Sequence, residues 1–368
     1  MKQTRSIVTS LIAVSALLIF SPVTAKEVEI SSIRELAEYA GKSGNHVRME
    51  PGLYRMTDYF TPEKISEMNQ RINKAEEHAG KREAAEFISF NGDNNVFDFR
   101  GVTIEFETEE LRVPLEQIIH TPEFVLRGNH NVVKGLSIIN TGNGTSNGGN
   151  VFSVIGDGNT LRDCTFVPRG SLYGYSELFG FGPNCILAIA KHSGLCITGD
   201  DNRVIGVSIY MRSLGHAFYL AHETTDNYFE DCYAKGRMRT TDDMLAETSG
   251  PAYNADFLGI RGPIEPGHIK SLSEDGFRTY GPHHSLTFIN CTAENMRCGF
   301  KVSSDVYMEN CTAVGNEAAF SLAQVVAKNC RGDSKYPSET ASVNVSRSTS
   351  ERSRHWSRKP LATSTFWR

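Results

Sequence analysis

The chain of 368 residues carries 38 Lys and Arg against 43 Asp and Glu, a formal net charge of -5. That balance argues against a surface built to coat a polyanion and leaves room for a local basic groove, so no nucleic-acid partner is expected. With 32 glycines and few long helical patterns, the composition points to a turn-rich β architecture.

Residues 1–25 read as a secretory signal peptide. Met1-Lys2-Gln3-Thr4-Arg5 gives a positive start, Ile7 to Phe20 an apolar run, and Val23-Thr24-Ala25 a small-residue cleavage site. The apolar run is too short to span a bilayer. A secreted or periplasmic protein without membrane insertion is therefore expected, and as a monomer.

Two helices are predicted next. In "SSIRELAEYAG" Ile33, Leu36, Ala37 and Ala40 fall at helical spacing, with Ser32 as N-cap and Gly41 as stop. In "TPEKISEMNQRINKAEEHAGKREAAEF" Ile65, Met68, Ile72 and Ala75 make one apolar stripe. The first helix is expected to plug the end of the fold and the second to pack on its side.

A repeat follows. Hydrophobic, any, hydrophobic, any, glycine recurs as Ile88-Ser89-Phe90-Asn91-Gly92, Phe124-Val125-Leu126-Arg127-Gly128, Phe152-Ser153-Val154-Ile155-Gly156 and Leu195-Cys196-Ile197-Thr198-Gly199. Asn95, Asn131, Asn159 and Asn202 each follow three residues after the glycine. Later units keep the strand without the turn pair: Phe218-Tyr219-Leu220, Phe277-Arg278-Thr279, Phe300-Lys301-Val302, Phe320-Ser321-Leu322. Short strands in directional units, with glycine and asparagine to serve left-handed turns, indicate a solenoid whose coils stack in parallel. The fold class predicted is all-β: a right-handed parallel β-helix over 26–333, capped at its N-terminal end and carrying long loop insertions. A β-sandwich competes less well because hairpin signals are scarce.

Eight cysteines in an exported chain suggest disulfides. Their placement in "INCT", "ENCT", "KNCR", "RDCT" and "EDCY" instead puts one cysteine at the same strand position of successive coils. Free, inward-facing thiols are the favoured reading. Beyond the repeat, 334–368 is serine- and arginine-rich and reads as an irregular basic tail.

The segment "IRELAEYAGKSGNHVRMEPGLYRM" resembles the opening of secreted β-helix polysaccharide lyases of the alginate lyase and chondroitinase B type. In those a capping helix leads into a strand and a glycine-tyrosine turn, here Ile33 to Ala40, Val47 to Met49 and Gly52-Leu53-Tyr54. "FDFRGVTIEFE" and "LRGNHNVVKGLSIINTG" are similar too. The likeness is one of architecture, and the same repeat serves hydrolases, epimerases and adhesins. It implies β-elimination on a uronate-containing, acidic polysaccharide. That chemistry needs a positive charge at the carboxylate and a base for the C5 proton.

The residue between two buried hydrophobics points out of the solenoid. Aligning the coils gives an outward column of Ser89, Val125, Ser153, Cys196, Tyr219, Arg278, Lys301 and Ser321. Tyr219, Arg278 and Lys301 then fall within about 5 to 10 Å of one another. Cations beside a phenol are expected to lower its pKa. These three, with His216 and Arg239, are the candidate catalytic residues. Lys191, His192, His222, Arg237, Tyr280 and Tyr175 are candidates for substrate binding. Arg237 and Arg239 lie in a long insertion between Lys235 and Asp275, where loops are commonly functional. Asp242, Asp243 and Glu247 in the same insertion either hold a Ca²⁺ ion, pair with those arginines, or cap a short helix. A second insertion, "PRGSLYGYSELFGFGPN", offers Arg169, Tyr173 and Tyr175.

Rival functions remain open on the sequence. A hydrolase needs two facing carboxylates, and Asp242, Asp243, Glu274 and Asp275 are available, though none at an outward strand position. A C5-epimerase would use nearly the same site as a lyase, and a non-catalytic carbohydrate-binding protein would need only the surface.

Overall fold

The computed structural model describes residues 26–116, 121–142, 149–169, 191–254, 256–259, 262–334 and 345–346. The expected signal peptide, Tyr173, Tyr175, Cys185 and most of the basic tail lie outside the described residues. A sheet of 24 strands runs the length of the molecule, each strand pairing in parallel with its equivalent in the coils before and after. This is a parallel β-helix. Among the described residues no helix is long and apolar enough to cross a membrane.

The inward positions build the core by repetition. Phe218, Phe277, Phe300 and Phe320 lie in register on four successive coils. Their rings stack at 4.7, 4.5 and 5.6 Å between centroids. That spacing is set by the strand separation, and each pair adds about 0.5–1.5 kcal/mol beyond its buried area. Cys164, Cys232, Cys291 and Cys311 lie in the core, and all seven described cysteines are free.

The recurrent asparagines and glycines do something other than adopt left-handed turns. Asn95, Asn131, Asn159, Asn202 and Asn227 form a buried ladder. In it the Oδ1 of each accepts from the backbone N–H of the preceding rung at 2.9 to 3.0 Å. The left-handed residues are those just before them, Asn94, His130 and Asp201 among them. Gly128, Gly156 and Gly199 are required because an added Cβ would collide with the backbone of the coil beneath.

Helix α1 (Ile33–Ala40) buries Ile33, Leu36 and Ala40, and at its start Ser32 Oγ accepts from the Glu35 N–H while the Glu35 carboxylate accepts from the Ser31 N–H and the Ser32 hydroxyl. Helix α2 (Pro62–Lys74) buries Ile65, Met68 and Ile72, and helix α3 (His78–Ala84) follows it. The long insertion carries an antiparallel ribbon of Met238–Thr240 with Ile269–Ser271 and short helices at Thr241–Leu245 and Pro251–Asn254. At the far end Val345–Ser346 pairs with Val325 and Val326, so part of the segment expected to be an irregular tail extends the sheet.

Candidate active site

The outward column forms in the expected register. Ser89 pairs with Val125, then Ser153, Cys196, Tyr219, Arg278, Lys301 and Ser321 in unbroken order. It is not exposed throughout. Val125, Ser153 and Cys196 are buried, although Val125 and Cys196 lie outside the core cluster. Its middle is covered, and the charges sit in the partly exposed stretch from Tyr219 to Ser321.

Strand Asp275–Thr279 sets the geometry there. Gly276 turns inward, and a Cβ on it would lie 2.7 Å from the Ala293 methyl. The neighbouring Phe277 is also in the core. Two successive residues face inward at this corner, so Asp275 joins Arg278 on the outer side. Gly281, with a φ of +88°, ends the segment after Tyr280.

Around that strand a buried polar cluster assembles. His216, Glu274 and Asp275 are all below 5% exposed. Arg297 bridges the two acids, 3.3 Å from Glu274 and 3.0 Å from Asp275, and Lys191 lies 2.9 Å from Glu274. His216 Nδ1 accepts from the Asp275 backbone N–H at 3.3 Å, which assigns its remaining proton to Nε2. Nε2 then donates to the Tyr280 hydroxyl at 2.8 Å and has Glu274 Oε2 at 3.3 Å. Burial holds the His216 pKa below its ordinary value, against the pull of Glu274 and Asp275, so the ring is neutral at pH 7.

Two cations face the opening. Arg278 lies with its guanidinium carbon 4.3 Å from the centroid of the Tyr280 ring. Its nearest acid is Asp275, at 3.9 Å, and its buried Nε has no hydrogen-bond partner. Lys301 is half-buried on the next coil. Burial lowers its pKa, and Arg278 and Arg297 lower it further against Asp275. Burial also raises the Tyr280 pKa, with Arg278 acting in the opposite sense.

Tyr219 departs from its expectation. Its hydroxyl donates to Asn150 Oδ1 at 2.8 Å, and burial drives its pKa well up rather than down. Lys301 is two coils away, so the phenol is not flanked by cations. His192 is fully buried at 3.2 Å from Glu123, in a separate ionic network with Arg112. His222 is exposed on a left-handed turn, with its backbone against Gly281. Arg239 pairs with Glu247 at 3.4 Å and with the Asp243 carbonyl. Arg237 is exposed, and Tyr175 lies outside the described residues.

The expected Ca²⁺ ligands do not converge. Asp242 accepts from the Gly267 amide, the Asp243 amide is capped by Thr240, and Glu247 is taken by Arg239. Among the described residues no group of three His, Cys, Asp or Glu is arranged to hold a metal ion. Conversely, Arg297, which the sequence does not single out, and Glu274 and Asp275, which it offers only as carboxylates for a rival hydrolase, are central to the cluster. The adjacent acidic pair just before the Arg278 strand was the available signal.

No family model matches this chain, and neither does any curated protein. Among solved structures it is similar to pectate lyase Pel9A, at 12% identity and a TM-score of 0.40, over 89% of this chain and 81% of that one. It is also similar to a PL6 alginate lyase in complex with a trisaccharide, at 13% identity and a TM-score of 0.34, over 85% of this chain and 61% of that one. At such values neither carries its activity over to this chain.

Proposed function

We propose that the protein is a secreted polysaccharide lyase that cleaves a uronic-acid-containing polysaccharide by β-elimination. One observation carries the reading: Arg278, its buried Nε without a hydrogen bond, lies against the Tyr280 ring whose hydroxyl a neutral His216 holds in place, and Lys301 stands in register with Arg278 on the next coil. An unpaired buried donor costs about 1–3 kcal/mol, and an incoming carboxylate on Arg278 offsets that cost.

In this reading Arg278 neutralises the uronate carboxylate. Lys301, deprotonated, takes the C5 proton. The C5–H electrons form the C4=C5 double bond, the C4–O bond breaks, and the leaving oxygen takes the Tyr280 proton. The tyrosinate left behind is held by His216 Nε2–H and Arg278 until solvent returns its proton. The products are a chain ending in an unsaturated uronate and a chain with a free hydroxyl where the bond was. We assign carboxylate neutralisation to the protein's own cations, because Lys191, Arg278 and Arg297 outnumber Glu274 and Asp275 even with Lys301 deprotonated, a balance that repels a divalent cation and draws an anion.

The test is incubation with alginate, polygalacturonate, chondroitin sulfate and hyaluronan while ultraviolet absorbance is followed. Rising absorbance from an unsaturated uronate supports elimination. New reducing ends without it would replace the reading with hydrolysis, and a change in uronate configuration with neither would replace it with epimerisation.

A further inference from the structure

Three arginines outside that cluster line up on consecutive coils. Arg169 and Arg212 form a parallel bridge. Arg237 lies two residues beyond Lys235, which pairs with Tyr210, just as Arg212 lies two residues beyond Tyr210. Met211 between them is core, and a Cβ on Gly236 would meet Met296, so Tyr210, Arg212, Lys235 and Arg237 all face outward. Arg212 and Arg237 are exposed, and neither has a carboxylate within 4 Å among the described residues. The three charges feel one another: burial first, then Arg169 and Arg237, lower the Arg212 pKa.

Like charges stacked about 4.8 Å apart repel, and a surface arginine gains little by joining such a row. In a chain whose net charge is -5, Arg212 and Arg237 on successive coils concentrate positive charge locally. Tyr210, 40% exposed and edge-on to Tyr233 at 5.9 Å, adds a ring on the same face. An aromatic face beside forked guanidiniums suits a sugar ring that bears a carboxylate. The row runs along the solenoid axis, as does the column with Arg278 and Lys301. Arg212 precedes His216 by four residues, so the row lies one corner away from the active cluster.

We infer that Arg169, Arg212 and Arg237 form a second binding track that holds an acidic polysaccharide by its repeating carboxylates, outside the bond-breaking subsites. The inference takes the acidic substrate class from the reading above but not its chemistry. The test measures binding of long-chain polygalacturonate and alginate to the full chain, as a function of salt, by titration calorimetry. R212A/R237A should weaken binding by about tenfold or more and reduce the slope of log affinity against log salt by about 2, one for each lost charge. R212K/R237K should recover the slope. Unchanged affinity in the alanine variant overturns the track. So does a wild-type protein that binds neither polymer, or a lysine variant that fails to restore the slope. Because both side chains are exposed and unpaired, thermal unfolding should be unmoved, which separates lost contact from lost fold. Binding by the wild type without any absorbance rise would remove the lyase reading and leave the track standing.

Discussion

Replacing Tyr280 by phenylalanine deletes one oxygen and little else. The ring remains, so the guanidinium of Arg278 keeps its face at 4.3 Å. His216 Nε2–H loses its 2.8 Å acceptor, and Glu274 Oε2, 3.3 Å away and without a hydrogen bond of its own, can accept from it after a small rotation, so no buried donor is stranded. The cost to folding is that of one hydrogen bond, about 1 kcal/mol. The cost to catalysis is that of a positioned general acid, about 10² to 10⁴ in rate, or about 3 to 5 kcal/mol at 1.36 kcal/mol per tenfold. The assay is the initial rate of unsaturated uronate formation on whichever polymer is cleaved, alongside thermal unfolding. Y280F should lose at least about a hundredfold in kcat with KM and melting little changed. Tyr219→Phe is the matched control: its hydroxyl serves Asn150, and kcat should stay within a few-fold. Near-normal turnover in Y280F, or a larger loss in Y219F, would refute the assignment and return the role to Tyr219.

Other outcomes follow from the same geometry. The rate should rise with pH as Lys301 loses its proton, at a pKa below the ordinary 10.5, and fall as Tyr280 ionises above 10.0. Because Arg278 lowers the Lys301 pKa, Arg278→Gln should move the rising limb to higher pH as well as reduce the rate. Arg297→Met leaves buried Glu274 with Lys191 alone and buried Asp275 with Arg278 at 3.9 Å, and should destabilise the fold by about 3–5 kcal/mol, read as a large drop in melting temperature. A chelator should leave the wild-type rate unchanged, and a chelator-sensitive rate restored by Ca²⁺ would overturn the assignment of neutralisation to Arg278. Asn131→Ala leaves the Asn95 backbone N–H buried without its acceptor and should cost about 1–3 kcal/mol with no effect on kcat.

The register of the coils was legible because alternation has a period of two and the hydrophobic pairs mark it unambiguously. All eight outward residues from Ser89 to Ser321 therefore pair as aligned. Alternation fails at corners. Gly276 and Phe277 both face inward, so parity counted back from Arg278 places Asp275 inside when it joins Arg278 on the outer side. The direction of a long side chain was not legible either. Tyr219 sits at its predicted rung yet reaches back to Asn150, away from Arg278. The asparagines were recognised as recurrent, but their role is in hydrogen bonds between coils, and a repeat in sequence shows only that something recurs at each coil. In the insertion, pairing of Arg239 with Glu247 is one of the alternatives the acidic cluster offers in sequence, and the ribbon's fold selects it over a metal site.

On the proposed reading, the protonation states favour elimination over hydrolysis on this scaffold. A glycosidase needs one carboxyl that stays protonated near its working pH to protonate the leaving oxygen, opposite another that stays charged. Burial pushes Glu274 up, but His216, Arg297 and Lys191 outweigh it and leave its pKa at about 2. Glu274 is therefore an anion at any pH where the protein works, and it serves as a counter-ion for the cations around it. The proton available at the opening belongs instead to a phenol whose pKa is raised, and the proton vacancy to an ammonium whose pKa is lowered. Removing a proton from carbon beside a carboxylate requires a base stronger than a carboxylate, together with a fixed positive charge for the enolate. Lys301 and Arg278 meet that requirement in adjacent rungs, while Glu274 cannot supply the acid that hydrolysis needs.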